Sequence, residues 1–259
     1  MDRTQLISRL GRVFILGVIF LGLIGCAPLP RKVINFDSRT LTDDTWGAPI
    51  QEKLTSGLFL NKDKTFGWYW DRNEPIMNPG DSFVRPIYPN VLVGGTTNVR
   101  SNSKYFPIKL GDVNSITFTV FYQYLEPPTG EYNLAFEMLL SDSKIPNPTL
   151  IPKAEVMIWL QHTFGQPPDT YNGEFTDGNN TFGLYSWIMS DGRSYFSFIL
   201  VGQSQFQAQY SIYTKKLLDD IDLNPNWYIL GVQLGNEVVS GSGRIQIENF
   251  KIKLNGHEA

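Results

Sequence analysis

The sequence predicts an all-β sandwich carrying a single α-helix. Three observations lead there: recurrent runs of alternating or β-branched residues, turn-forming residues between the runs, and one stretch with helical spacing. "SITFTVFYQYL" (115–125) and "YNLAFEMLL" (132–140) alternate their large apolar residues, the period that sends side chains to opposite faces of a sheet. "AEVMIWLQ" (154–161), "TFGLYSWIM" (181–189), "SYFSFILVG" (194–202), "WYILGVQLG" (227–235) and "GRIQIENFKIKL" (243–254) read as further strands. "PPTG", "SDSKIPNP", "GQPPDT", "DGNN", "SDG" and "SGSG" between them supply the fixed-φ and positive-φ residues that turns require. The helical exception is "QAQYSIYTKKLLDDI" (207–221), where Ile212, Leu217, Leu218 and Ile221 recur near helical spacing. A chain of 259 residues can form one large all-β unit, and a single domain over 40–256 accounts for the pattern.

Charge narrows the partners. The net charge is −3, only 18% of residues are charged, and no Lys/Arg run forms a phosphate-tracking groove, which argues against nucleic acid. Aromatic residues make up 14% of the chain, a content that serves a sandwich core or a sugar-stacking cleft equally well.

The first 25 residues read as a leader. Arg3, Arg9 and Arg12 precede the apolar run "VFILGVIFLGLI" (13–24), which is short for a bilayer span and suited to a signal peptide. It ends in "LIGC", which resembles the bacterial lipobox, so Cys26 is the expected lipidation site and 26–39 the tether to the domain. An uncleaved membrane helix is the alternative, and either reading exports the domain to the cell envelope. Cys26 is the single cysteine, so no disulfide staples the fold.

Carboxylates are the candidates for chemistry. His162 and His257 are far apart in sequence, no HExxH or acidic calcium loop is present, and no GxSxG elbow supports a Ser nucleophile; neither a metal nor an organic cofactor is expected. Strand alternation puts Glu155, Met157, Trp159 and Gln161 on one face of "AEVMIWLQ" and Val156, Ile158 and Leu160 on the other. The first set suits a sugar-binding groove, although a polar outer face is also what an antiparallel sheet normally carries. In "ILGVQLGNE", Glu237 shares a face with Gln233, Gly231 and Gly235, where the glycines either open space beside it or mark bulges. Two carboxyl groups flanking a groove can cleave a glycosidic bond.

These residues carry a resemblance. "AEVMIWL" and "YILGVQLGNEVVSGSGRIQIENFKIKL", with "DDTWGAP", "FGWYW", "IYPNVLVGG" and "YNLAFEMLL" before them, resemble glycoside hydrolase family 12 over most of 40–254. The resemblance implies a jelly-roll sandwich of two bent antiparallel sheets with a concave substrate cleft. It implies Glu155 as nucleophile and Glu237 as general acid/base of a retaining reaction, with their carboxyl groups about 5 to 5.5 Å apart. Met157 matches the methionine beside the nucleophile, and Trp46 matches a sugar-stacking aromatic. Trp68 and Trp70, on one face of "GWYW", extend that platform or pack in the core, and Trp159 also faces the groove.

Three positions depart from the family pattern. Glu137 stands where an Asp usually supports the nucleophile, Asp44 where an Asn often contacts substrate, and Val238-Val239 where a Pro-aromatic pair is usual. The implied activity is endo-hydrolysis of β-1,4-glucosidic bonds in cellulose-type or mixed-linkage β-glucans. The alternatives are a xyloglucan-specific endoglucanase and a surface lipoprotein that binds glycan without cutting it. An open cleft suits a monomer.

Overall fold

A computed structural model describes residues 32–259 except 46, 50, 79, 82, 83, 148, 164–169 and 203–204. The leader, Cys26 and the start of the tether lie outside the described residues. In chain order the strands are β1 (Val33–Phe36), β2 (Arg39–Thr42), β3 (Thr55–Leu60), β4 (Phe66–Arg72), β5 (Asn90–Gly94), β6 (Ile108–Lys109), β7 (Ile116–Glu126) and β8 (Asn133–Ser141). They continue with β9 (Ala154–His162), β10 (Thr170–Thr176), β11 (Thr181–Ile188), β12 (Ser194–Leu200), β13 (Gln207–Ile212), β14 (Tyr228–Gly235), β15 (Gly241–Leu254) and β16 (His257–Glu258); helix α1 is Thr214–Asp219.

The strands form two sheets. The larger runs β1-β2-β5-β14-β8-β9-β12-β11-β10 and the smaller β13-β7-β15-β4-β3. Among the described residues the strand pairings are antiparallel with one exception, since β12 runs parallel to β9. That pairing sets Tyr195 against Glu155, two residues forty positions apart in sequence.

Alternation builds the core between the sheets. Ile116, Phe118, Val120, Tyr122 and Tyr124 point inward from β7, against Leu134, Phe136, Met138, Val156 and Ile158 of the larger sheet. In β15 the inward phase changes from Ile245 and Ile247 to Phe250 and Ile252 across a register shift between Ile247 and Asn249. One extra residue in a strand resets which side faces in. Strand β9 is buried along almost its whole length because it lies under the core on one face and under the cleft on the other.

Two expectations are corrected. Residues 207–212 form β13, paired with β7, so the expected helix contracts to α1: Ala208 and Ile212 alternate inward along an edge that β7 leaves open. The expected tether also ends earlier, because Val33–Phe36 pairs with Arg39–Thr42 and extends the larger sheet.

Arg72 ends the inward row of β4 and is fully buried with Glu52. Its Nε donates to Glu52 Oε1 at 2.6 Å and its Nη2 to Glu52 Oε2 at 3.0 Å; Nη1 donates to the carbonyls of Arg85 at 2.7 Å and Val238 at 2.8 Å. A buried charge is tolerable only when paired and hydrogen-bonded on all sides. Arg72→Met, which strands Glu52, is expected to destabilise the protein by about 3–5 kcal/mol in urea unfolding. A loss under about 1 kcal/mol would show that water replaces the guanidinium.

Candidate active site

The outer face of the larger sheet holds a cleft of about 960 Å³. Glu137, Glu155, Glu237, Asp44, Trp159, Tyr88, Tyr195, Trp187, Gln233 and Arg193 are among its lining residues. Strand register assembles them: Glu137 on β8 lies opposite Met157 of β9 on one side and Gln233 of β14 on the other, while Glu155 lies opposite Leu139 and Tyr195. Glu155 is buried, and Glu137 and Glu237 are half-buried at the cleft floor. The sequence therefore placed three carboxyl groups where the fold brings them together.

Glu237 follows the end of β14 and is held from below. Asn133 donates from Nδ2 to Glu237 Oε2 at 2.5 Å, and its Oδ1 accepts from the Glu237 backbone N–H at 3.0 Å. The neighbouring Asn236 donates to the Asn133 carbonyl and to the Tyr124 hydroxyl, and its Oδ1 accepts from Trp68 Nε1 at 2.8 Å. Arg72 fixes the carbonyl of Val238 on the other side.

This chain of contacts corrects the reading of Trp68 and Trp70 as a sugar platform. They are 0% and 2% exposed, on the inward face of β4. Trp68 acts on the cleft only through Asn236, because its ring is sealed in the core. Val238 is likewise a core residue. The glycines do not open space either: a Cβ on Gly235 would lie 2.6 Å from the Pro89 carbonyl oxygen and 2.8 Å from the Tyr88 ring, and one on Gly231 would lie 2.6 Å from Gly95. They permit close strand and ring approach, the bulge-and-packing role of strand glycines.

On β9 the expected Glu-Met-Trp-Gln face holds for three residues. A register shift between Leu134 and Ala135 leaves Leu160 as the extra residue, so Gln161 pairs with Leu134 and donates to the Tyr132 hydroxyl at 3.0 Å on the core side. Trp159 lines the cleft. Met157 is fully buried beneath it, with the Tyr195 hydroxyl donating to its sulfur, so it supports the floor and does not reach a ligand. Trp46 lies outside the described residues.

The sequence missed Arg193, Asn133, Tyr195 and Trp187. Arg193 Nη1 donates to Glu155 Oε2 at 2.6 Å, and the Trp187 and Tyr195 rings lie 3.7 Å apart beside it. No local pattern marks them: the parallel pairing of β12 with β9 brings in Arg193 and Tyr195, the pairing of β11 with β12 brings in Trp187, and the pairing of β8 with β14 brings in Asn133.

The three carboxyl groups do not share one environment. Burial, then repulsion from Glu155, raises the Glu237 pKa to about 7, while the Asn133 hydrogen bond opposes the rise. Burial, then repulsion from Glu155 and Glu237, pushes Glu137 well above the usual carboxyl range. Burial also raises Glu155, but the Arg193 guanidinium opposes it. Near neutral pH one carboxyl group is thus poised to give a proton beside another with a cation to support its charge. Such a pair with divergent environments is what acid-assisted bond cleavage needs.

A two-sheet sandwich with paired carboxyl groups in an open cleft defines a class of carbohydrate-cleaving enzyme, and sequence and structure comparisons agree on which. A profile of Glycosyl hydrolase family 12 matches residues 36–255. The chain belongs to this family and is a glycoside hydrolase of endo-β-1,4-glucanase type. Endoglucanase S of Pectobacterium parmentieri is 26% identical over 227 residues, covering 83% of this chain and 81% of that protein. The native family 12 xyloglucanase from Bacillus licheniformis superposes with a TM-score of 0.76 at 23% identity, covering 88% of this chain and 99% of that one. Endoglucanase cel12A from Rhodothermus marinus gives 0.69 at 16% identity, covering 89% and 100%. These two structures share the jelly-roll fold with this chain.

The Asn133 contact yields a signed prediction. Asn133→Ala removes a bond that holds the Glu237 pKa down, so the basic limb of kcat/KM should move to higher pH while kcat falls roughly ten- to a hundredfold as the carboxyl group loses its support. An unmoved basic limb would separate Asn133 from the proton donor.

Proposed function

We propose that the protein is an endo-acting, retaining hydrolase of internal β-1,4-glucosidic bonds in cellulose-type or mixed-linkage β-glucans, with Glu155 as nucleophile and Glu237 as general acid/base. The observation that carries this reading is the pair of carboxyl groups with unlike environments on one open cleft. Glu237, protonated below about pH 7, gives its proton to the departing glycosidic oxygen while ionised Glu155 attacks the anomeric carbon. Glu237, now ionised, takes a proton from water as that water releases the glycosyl-enzyme and restores Glu155.

Neighbouring groups serve these steps. Glu137, kept neutral by burial and its two acidic neighbours, supports the site as a hydrogen-bond donor and adds no third negative charge. Trp159, with Trp187 and Tyr195, offers apolar ring faces to the pyranose, and Asp44 offers an acceptor to its hydroxyls. For Trp46 the motif "DDTWG" supports a sugar-stacking role through the family resemblance. The xyloglucan alternative uses the same chemistry in a wider cleft, and relative rates on xyloglucan and unbranched β-glucan decide between them.

The assignment of the two roles is testable by leaving group. Glu155→Ala should lower reducing-end release from carboxymethyl-cellulose and mixed-linkage glucan by roughly a thousandfold or more, about 4 kcal/mol of barrier. It should fail equally on an aryl β-cellobioside. Glu237→Ala should fail on the polysaccharides yet retain cleavage of an aryl glycoside whose phenolate leaves without a proton. Equal losses for both variants on both substrates would contradict the division of roles.

We also propose export with a lipid anchor at Cys26, in keeping with a polymeric substrate met outside the cell. Cys26→Ser should release the protein from the membrane fraction; persistent association would favour an uncleaved apolar helix.

A further inference from the structure

We propose that Arg193 is a positioning residue for the reaction: tethered by Asp191, its guanidinium holds the Glu155 carboxylate ionised and in one orientation at the cleft floor. The inference rests on the reading of Glu155 as nucleophile.

The geometry is specific. Arg193 sits in the turn joining β11 to β12, where Met189 N–H donates to the Arg193 carbonyl at 2.8 Å, Gly192 N–H to the Met189 carbonyl at 2.9 Å, and Arg193 N–H to Asp191 Oδ1 at 3.1 Å. The backbone is therefore fixed before the side chain is placed. Because β12 runs parallel to β9, with Ser194 opposite Ala154 and Tyr195 opposite Glu155, the turn delivers Arg193 beside Glu155. Nη1 lies 2.6 Å from Glu155 Oε2 and Nη2 lies 3.2 Å from Asp191 Oδ2, with side chains only 19% and 12% exposed for Arg193 and Glu155. Screening by water is weak there, so the pair is stronger than a surface ion pair.

The surroundings explain why such a cation is needed. Glu155 faces Glu137 from β8, Glu237 beyond β14, the Tyr195 phenol from β12, and Asp191 and Arg193 from the turn; Tyr88 lines the same cleft. Burial pushes Glu155 toward its neutral form and the Asp191 charge adds to that, while Glu137 and Glu237 are themselves held up and the phenols of Tyr88 and Tyr195 stay protonated. A buried carboxylate takes up a proton unless a cation supports it, and a protonated Glu155 cannot attack. Once Glu155 becomes an ester it no longer balances the guanidinium, and Asp191 keeps Arg193 paired through the intermediate.

The pH profile separates this role from simple packing. With an unbranched β-glucan, Arg193→Met should move the acidic limb of kcat/KM up by about one unit or more and lower kcat about tenfold, with KM changed less than about threefold. Arg193→Lys, which keeps charge but not the planar fork, should restore the limb while kcat stays reduced. Asp191→Asn removes a negative charge that acts on Glu155 and should move the same limb down. An acidic limb that does not move in folded Arg193→Met, with thermal unfolding as in wild type, overturns the proposal. Should that variant fail to fold, an acidic limb that does not move down in Asp191→Asn overturns it instead. Glu155→Ala, assayed on an aryl β-cellobioside with and without azide, isolates the premise. If it is inactive and azide restores turnover, the nucleophile reading stands whatever Arg193 does; if it stays active without azide, that reading itself fails.

Discussion

Glu137, Glu155 and Glu237 crowd onto one face of one sheet, and their mutual repulsion sets conditions that much of the surrounding structure meets. Burial favours the neutral form of each, and every ionised member makes the next harder to ionise. A site of this kind works only if the protons are distributed unequally. The structure distributes them with one cation and one amide: Arg193 against Glu155, and Asn133 against Glu237. For Glu137 burial and repulsion from Glu155 and Glu237 outweigh the Arg193 charge and hold it toward the neutral form.

The support for Glu237 reaches through the sandwich. Trp68 holds Asn236, Asn236 holds Asn133, and Asn133 holds Glu237, while the Arg72–Glu52 pair pins Val238 one residue further on. Glu237 lies past the end of its strand, where its carbonyl accepts from the Asn133 backbone N–H at 2.9 Å and isolated bridges hold Val238, and side-chain hydrogen bonds from buried residues orient the segment further. Glu155 is in the opposite situation. It stands within β9, flanked by β8 and β12, and the ladder fixes its backbone, leaving only charge and orientation for Arg193 to supply.

Much of the fold was legible because sheet burial writes a period of two into the chain. The runs at 115–125, 132–140, 154–161 and 243–254 became β7, β8, β9 and β15 with small changes at their ends. Alternation misled where a strand carries an extra residue: after Leu160 the phase of β9 reverses, and Gln161 turns from the cleft to Tyr132. Helical spacing misled at 207–212, where Ala208, Tyr210 and Ile212 also fit an edge strand and the open edge of β7 decided the matter. Trp68 and Trp70 share a face as expected, but a shared face does not say whether it looks inward or outward.

The sequence by itself determined the two-sheet class, the candidate carboxyl groups Glu155 and Glu237 and the apolar strand faces that pack between the sheets, with Glu137 added by the family resemblance alone. These follow from local periodicity and from residue type, which a linear chain displays. Only the tertiary structure decided what surrounds those carboxyl groups. The parallel pairing of β9 with β12 brings Arg193 across a gap of 38 residues, and the pairing of β8 with β14 sets Asn133 under Glu237 across 104. A charge's effect on its neighbour depends on distance in space and on the water between them, neither of which sequence separation encodes.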